Sequence, residues 1–84
     1  MITVRRLNNT LIMSGHAGFA EYGKDIVCSA ASILAFTAAR FGSMRTDKNN
    51  TIIESTESAL DVVMEGFLLL EENYPANLRV IKGG

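Results

Sequence analysis

The stretch Gly15-His16-Ala17-Gly18-Phe19-Ala20-Glu21-Tyr22-Gly23-Lys24-Asp25-Ile26-Val27-Cys28 joins three kinds of structure. An extended run reaches His16, a loop punctuated by Gly18 and Gly23 follows, and an apolar run opens at Ile26. Asp25 stands just before that run, where a helix N-cap is expected, so the pattern reads strand, loop, helix. With Asp25 as the cap, Cys28 is the third helical residue. A thiol so placed lies in the positive field of a helix N-terminus, among N–H groups without intrahelical partners, and both features favour a thiolate. The same stretch holds the lone histidine and the lone cysteine of the chain. A loop of this length can fold back to bring them together, which is the minimal equipment of a cysteine nucleophile with a histidine base.

Working outward towards the N-terminus, Ile2 to Leu7 mixes β-branched and charged residues, Asn8-Asn9 supplies turn chemistry, and Leu11 to Met13 is apolar again. Strand, tight turn, strand is the simplest reading, and it delivers His16 to one end of a hairpin. Towards the C-terminus, Val27, Ala30, Ala31, Leu34, Ala38 and Phe41 follow helical spacing, with Ile26, Ile33 and Phe36 widening the apolar surface. So broad a surface predicts a helix covered on more than one side, stopped by Gly42. Met44 to Asp47, Lys48-Asn49-Asn50 and Thr51 to Glu54 suggest a second hairpin, and Ser55 or Thr56 can cap a second helix. Leu60, Val63, Met64, Phe67, Leu70 and Tyr74 form the stripe of that helix, with Val62, Leu68 and Leu69 broadening it. Pro75 ends it, and Leu78 to Ile81 offer a last strand. The order β-β-α-β-β-α-β predicts an α+β fold, a small and mostly antiparallel sheet with two packed helices.

With 84 residues the chain reads as one domain, residues 1–84. Apolar residues at 48% and charged residues at 20% exclude disorder as the reading. A net charge of -1, with two Tyr, four Phe and no basic aromatic stretch, argues against direct nucleic-acid binding. The apolar run from Ile26 to Ala39 is broken by Ser29, Ser32 and Thr37 and is too short for a membrane span. One cysteine closes no intrachain disulfide and no secretion signal is evident, so the cytoplasm is the expected compartment.

Each candidate residue also has a plain reading. A free cysteine is commonly buried as a small apolar residue, and the chain then reads as a non-catalytic dimeric binding or regulatory module with an inert thiol. Asp25 serves as helix cap, as a third member orienting His16, or as both. Ser32, one helical turn beyond Cys28, either bonds back to a helix carbonyl or helps position the thiolate. Gly18 to Asp25 nearly matches the phosphate-binding loop G-x-x-x-x-G-K-[ST], but an aspartate in place of the magnesium-binding hydroxyl argues against nucleotide. One histidine and one cysteine leave a tetrahedral zinc site short of ligands, so no metal and no cofactor are expected.

The run from Gly15 through Cys28, continued by Ser29-Ala30-Ala31-Ser32, resembles the signature of the ribosomal-processing cysteine protease (Prp) family of bacteria. The ending Asn73-Tyr74-Pro75 of the second helix resembles that of the family's C-terminal helix. The resemblance implies a cysteine endopeptidase that removes the N-terminal extension of a large-subunit ribosomal protein precursor, acting as a homodimer with a flexible loop beside the site. His16 and Cys28 match the family's catalytic pair, and Gly15, Asp25 and Ser32 match further motif positions, with Gly18 and Gly23 in the loop. The segment Ser43 to Thr56 is shorter than the family usually carries, which bears on the second hairpin and on the substrate groove.

Overall fold

The computed structural model of the chain describes residues 1–15 and 24–81, with the backbone alone at 24 and 25. Its elements are β1 (Ile2–Leu7), β2 (Thr10–Gly15), α1 (Lys24–Ala39), β3 (Ser43–Asp47), β4 (Asn50–Glu54), α2 (Glu57–Asn73) and β5 (Leu78–Ile81). The strands form one sheet in the order β3-β4-β2-β1-β5. Three of its pairings are antiparallel, and β1 with β5 is parallel. This is the expected element order and the expected α+β class.

Alternation along the strands decides which face is covered. Ile2 and Val4 of β1, Leu11 of β2, Ile53 of β4 and Leu78 of β5 are all buried, and they join Val27, Ala31, Ala35 and Ala38 of α1 and Leu60, Val63 and Phe67 of α2 in a single core. The register places Leu11 opposite Ile53 and Ile2 opposite Leu78, so the buried strand positions share one face. On the other face one cross-strand row runs Arg45, Ile52, Ile12, Arg5, Ile81. Both helices therefore lie on the same side of the sheet.

Each hairpin turns on two residues. Asn8 and Lys48 occupy the first position of their turns with φ of 53° and 58°, a left-handed conformation that matches the twist of the flanking strands. Asparagine enters that region easily; lysine does so less readily. The second hairpin forms in full despite the short Ser43 to Thr56 segment, because β3 pairs with β4 along its whole length through backbone groups while every β3 residue stays exposed.

The helix termini correct three readings. First, α1 begins at Lys24, so Asp25 is the second helical residue rather than the cap, and Cys28 is the fifth. Any cap on this helix precedes Lys24, outside the described residues. Second, α1 ends at Ala39, before Gly42, and closes through short bonds from Phe41 N to Ala38 O (3.1 Å) and Gly42 N to Ala39 O (3.1 Å). Gly42 is demanded instead by packing, since a Cβ there would collide with the carbonyl oxygen of Glu54. Third, within the single chain the broad apolar surface of α1 is covered on one side: Ile33 is 65% exposed, and Ile26, Phe36 and Phe41 are exposed as well.

α2 follows its predicted pattern closely. Thr56 is the cap, its hydroxyl accepting from Ala59 N at 3.1 Å, and Glu57 places a negative charge in the first turn. Tyr74 N bonds Leu70 O at 2.7 Å to close the far end, just before Pro75. Ser55, the other candidate cap, is buried and donates to Ala38 O at 2.7 Å, tying the end of α1 to the end of β4. The two helices meet where Leu34 of α1 sits over Gly66 of α2; a Cβ on Gly66 would lie 2.6 Å from Leu34 Cδ2. At the sheet edge, Glu71 Oε2 accepts from Val80 N at 3.0 Å and blunts an otherwise open strand. Among the described residues no helix is long and apolar enough to cross a membrane.

Candidate active site

The C-terminal end of β2, the first turns of α1 and the tip of the β3–β4 hairpin converge on a cleft of about 280 Å³. Gly15 closes β2 with φ of 84°. A side chain at this position would collide with the carbonyl oxygen of Met1, so the tight end of the strand requires glycine on both conformational and steric grounds. His16 follows Gly15 directly in sequence. His16, Gly18 and Gly23 themselves lie outside the described residues, as does the side chain of Asp25.

Cys28 is half-buried, packs partly against the core and lines the cleft as a free thiol. Its place as fifth residue of α1 means that its own N–H lies beyond the unpaired first turn and can reach the carbonyl four residues earlier. Helical Cα–Cβ bonds nevertheless tilt towards the N-terminus, so the side chain leans back to the open end of the helix. Ser32 lines the same cleft one turn further on. The structure thus brings Gly15, Cys28 and Ser32 of the sequence-derived candidates onto one surface.

The rest of the lining divides by chemistry. Ile2, Met13 and Ala31 provide an apolar floor continuous with the core. The opposite wall is polar and comes from the second hairpin: Thr46 and Thr51, paired across β3 and β4, the turn residues Lys48 and Asn49, and Asn50 at the start of β4. Among the described residues, Lys48 is the cation of this lining and no Asp or Glu belongs to it. The residues Lys48-Asn49-Asn50 read in the sequence as turn chemistry, and only the family resemblance ties their segment to a substrate groove. The hint at a further role is local, a lysine where a two-residue turn favours Asn or Gly.

The arrangement offers a solvent-reachable thiol, an apolar floor and a donor-rich wall, features suited to holding an extended polypeptide beside a nucleophile. The family model for the cysteine protease Prp matches residues 1–79. The ribosomal processing cysteine protease Prp of Mycoplasma genitalium is 53% identical over 36 residues, 43% of this chain and 36% of that protein, so the aligned part spans well under half of that relative. A crystal structure of an essential ribosomal processing protease Prp from S. aureus, in complex with a covalently linked product peptide, superposes with a TM-score of 0.73. Identity to it is 29%, over 95% of this chain and 97% of that one. A second S. aureus structure, in complex with a substrate peptide, gives a TM-score of 0.70 at 25% identity, covering 95% of each chain. On the family match over residues 1–79, this chain belongs to the cysteine protease Prp family.

Proposed function

We propose that this chain is a cysteine endopeptidase that removes the N-terminal extension of a large-subunit ribosomal protein precursor, with Cys28 as nucleophile and His16 as base. The observation that carries the reading is the half-buried Cys28 thiol opening on a cleft shared with Gly15 and Ser32. The ribosomal processing named for the Mycoplasma genitalium relative, and the peptides bound by the S. aureus protease, support the substrate class.

In this reading His16 takes the proton of Cys28, and the thiolate attacks the scissile carbonyl carbon. The unpaired N–H groups of the first turn of α1, towards which the Cys28 side chain leans, are the donors for the tetrahedral oxyanion. Collapse breaks the C–N bond while the imidazolium protonates the departing amine, leaving a thioester. Water, deprotonated by His16, then releases the carboxylate product and restores the thiol. Asp25, in the first turn, orients the imidazole, and Ser32 steadies the sulfur from one turn below.

The reading includes a homodimer. Thr37 and Phe41 of the α1 end face Thr56, Ala59, Val62 and Val63 of α2 across an apolar groove of about 340 Å³. Val62 is 71% exposed in the single chain, and Ile33, Phe36 and Leu69 extend the apolar surface around it. A second copy covering this face takes these exposed apolar side chains out of water. The compartment proposed is the cytoplasm, where a lone cysteine stays reduced.

The test is incubation of the purified protein with ribosomal-protein precursors, followed by mass determination of the products. A single cut that removes the N-terminal extension is expected, together with its loss in His16→Ala. Precursors recovered intact with the wild-type protein would contradict the proposal.

A further inference from the structure

Two turns of the same length offer an internal comparison. The β1–β2 turn places Asn8 at its left-handed position, and the β3–β4 turn places Lys48 there, with φ of 53° and 58°. Lysine's long unbranched side chain gives such a turn nothing that asparagine would not give better. A residue held in a sparsely populated conformation beside a cleft directs attention to what its side chain does. Lys48 lines the Cys28 cleft, and among the described residues it has neither an ion pair nor a hydrogen bond. Lys48 is exposed at the hairpin tip, and no Asp or Glu lines that cleft among the described residues, which leaves its ammonium available to a carbonyl oxygen of an occupant.

We propose that Lys48 holds the substrate: its ammonium, at the tip of the β3–β4 hairpin, donates to main-chain carbonyl oxygens of a polypeptide lying in the Cys28 cleft. Lysine carries three donors and no acceptor, and an extended chain presents carbonyl oxygens at regular intervals along each side. Thr46 and Thr51 on the same wall, and the amide of Asn49, add neutral donors to the same set of oxygens. The wall thereby holds the peptide main chain alongside the thiol without reading its side chains.

The inference rests on the proposed peptidase reading, and the test separates the two. Lys48→Asn and Lys48→Arg are compared with the wild-type protein on a precursor peptide lacking Asp and Glu, with thermal melting as a control. Lys48→Asn is expected to melt at or above the wild-type temperature, because asparagine suits the turn. Its KM is expected to rise roughly threefold to tenfold, the effect of one lost solvent-exposed hydrogen bond, with kcat within about twofold of wild type. Lys48→Arg is expected to keep KM near the wild-type value. An unchanged KM in Lys48→Asn, or an equal loss in Lys48→Arg, would overturn the proposal, as would a loss confined to peptides carrying an acidic residue. Should the wild-type protein cleave nothing, the peptidase reading fails while the inference is still decided by binding. Fluorescence anisotropy of the same labelled peptide on Cys28→Ala and on Cys28→Ala/Lys48→Asn is expected to show weaker binding in the double variant, and equal or absent binding refutes it.

Discussion

The hairpin β1–β2 and the hairpin β3–β4 share a two-residue turn and a left-handed first turn residue, yet they occupy opposite situations in the sheet. β1 and β2 lie inside it and supply Ile2, Val4 and Leu11 to the core, whereas β3 is an edge strand with every residue exposed. Stability is therefore concentrated in the first hairpin. The second, held by backbone pairing and by Ile53 alone among its buried residues, is free to carry the polar wall of the cleft. Binding surfaces are commonly drawn from the less stable parts of a fold for this reason.

Truncation of core side chains breaks the comparison most sharply. Leu11→Ala is expected to lower unfolding free energy by about 2–5 kcal/mol, whereas Met44→Ala, at a position 44% exposed in β3, is expected to stay below about 1 kcal/mol. Urea denaturation of the two variants measures both, and similar losses would mean that the hairpins bear stability equally. Next in size is the contact that anchors the second hairpin. Gly42→Ala forces a methyl group against the Glu54 carbonyl and is expected to cost about 1–3 kcal/mol through the backbone shift it compels. Loss of amide-exchange protection in β3 and β4 ahead of β1 and β2 is the accompanying signature.

Ser55→Ala probes the junction where the hairpins meet. Ser55 N bonds Asn9 O at 3.0 Å, and its hydroxyl bonds Ala38 O at 2.7 Å. Its removal is expected to cost about 0.5–1.5 kcal/mol, the worth of one hydrogen bond, because Ala38 O still accepts from Phe41 N. Smallest is Asp61→Ala, which removes the ion pair of Arg6 in β1 with Asp61 in α2. Asp61 is 69% exposed there, so a change below about 1 kcal/mol that shrinks further in salt is expected.

Local rules were readable wherever local chemistry decides. Asn8-Asn9 announces its turn, the Leu60, Val63 and Phe67 spacing announces the buried stripe of α2, and Pro75 marks the end of that helix. The start of α1 is not fixed by local sequence, because an acidic residue before an apolar run fits a cap and a first-turn position equally well. Gly42 has the sequence context of a helix stop, but its reason is Glu54, distant in the chain. The exposed Ile33 and Phe36 widened the predicted core because hydropathy does not reveal which partner covers an apolar face. Gly15, Cys28 and Ser32 were identified from one continuous stretch. Thr46, Thr51 and Lys48 were not identified as part of the same site, since their approach to Cys28 arises from the β2–β4 pairing and from α1 packing on the sheet, which no local periodicity encodes.

The most direct test of the account is the rate at which wild-type protein and Cys28→Ala cut the same precursor peptide, with circular dichroism confirming equal folding. Cleavage by the wild-type protein and none detectable by the variant is predicted, because removal of the sulfur leaves no nucleophile on the cleft. Cleavage by Cys28→Ala at the wild-type rate would show that a group other than this thiol performs the chemistry.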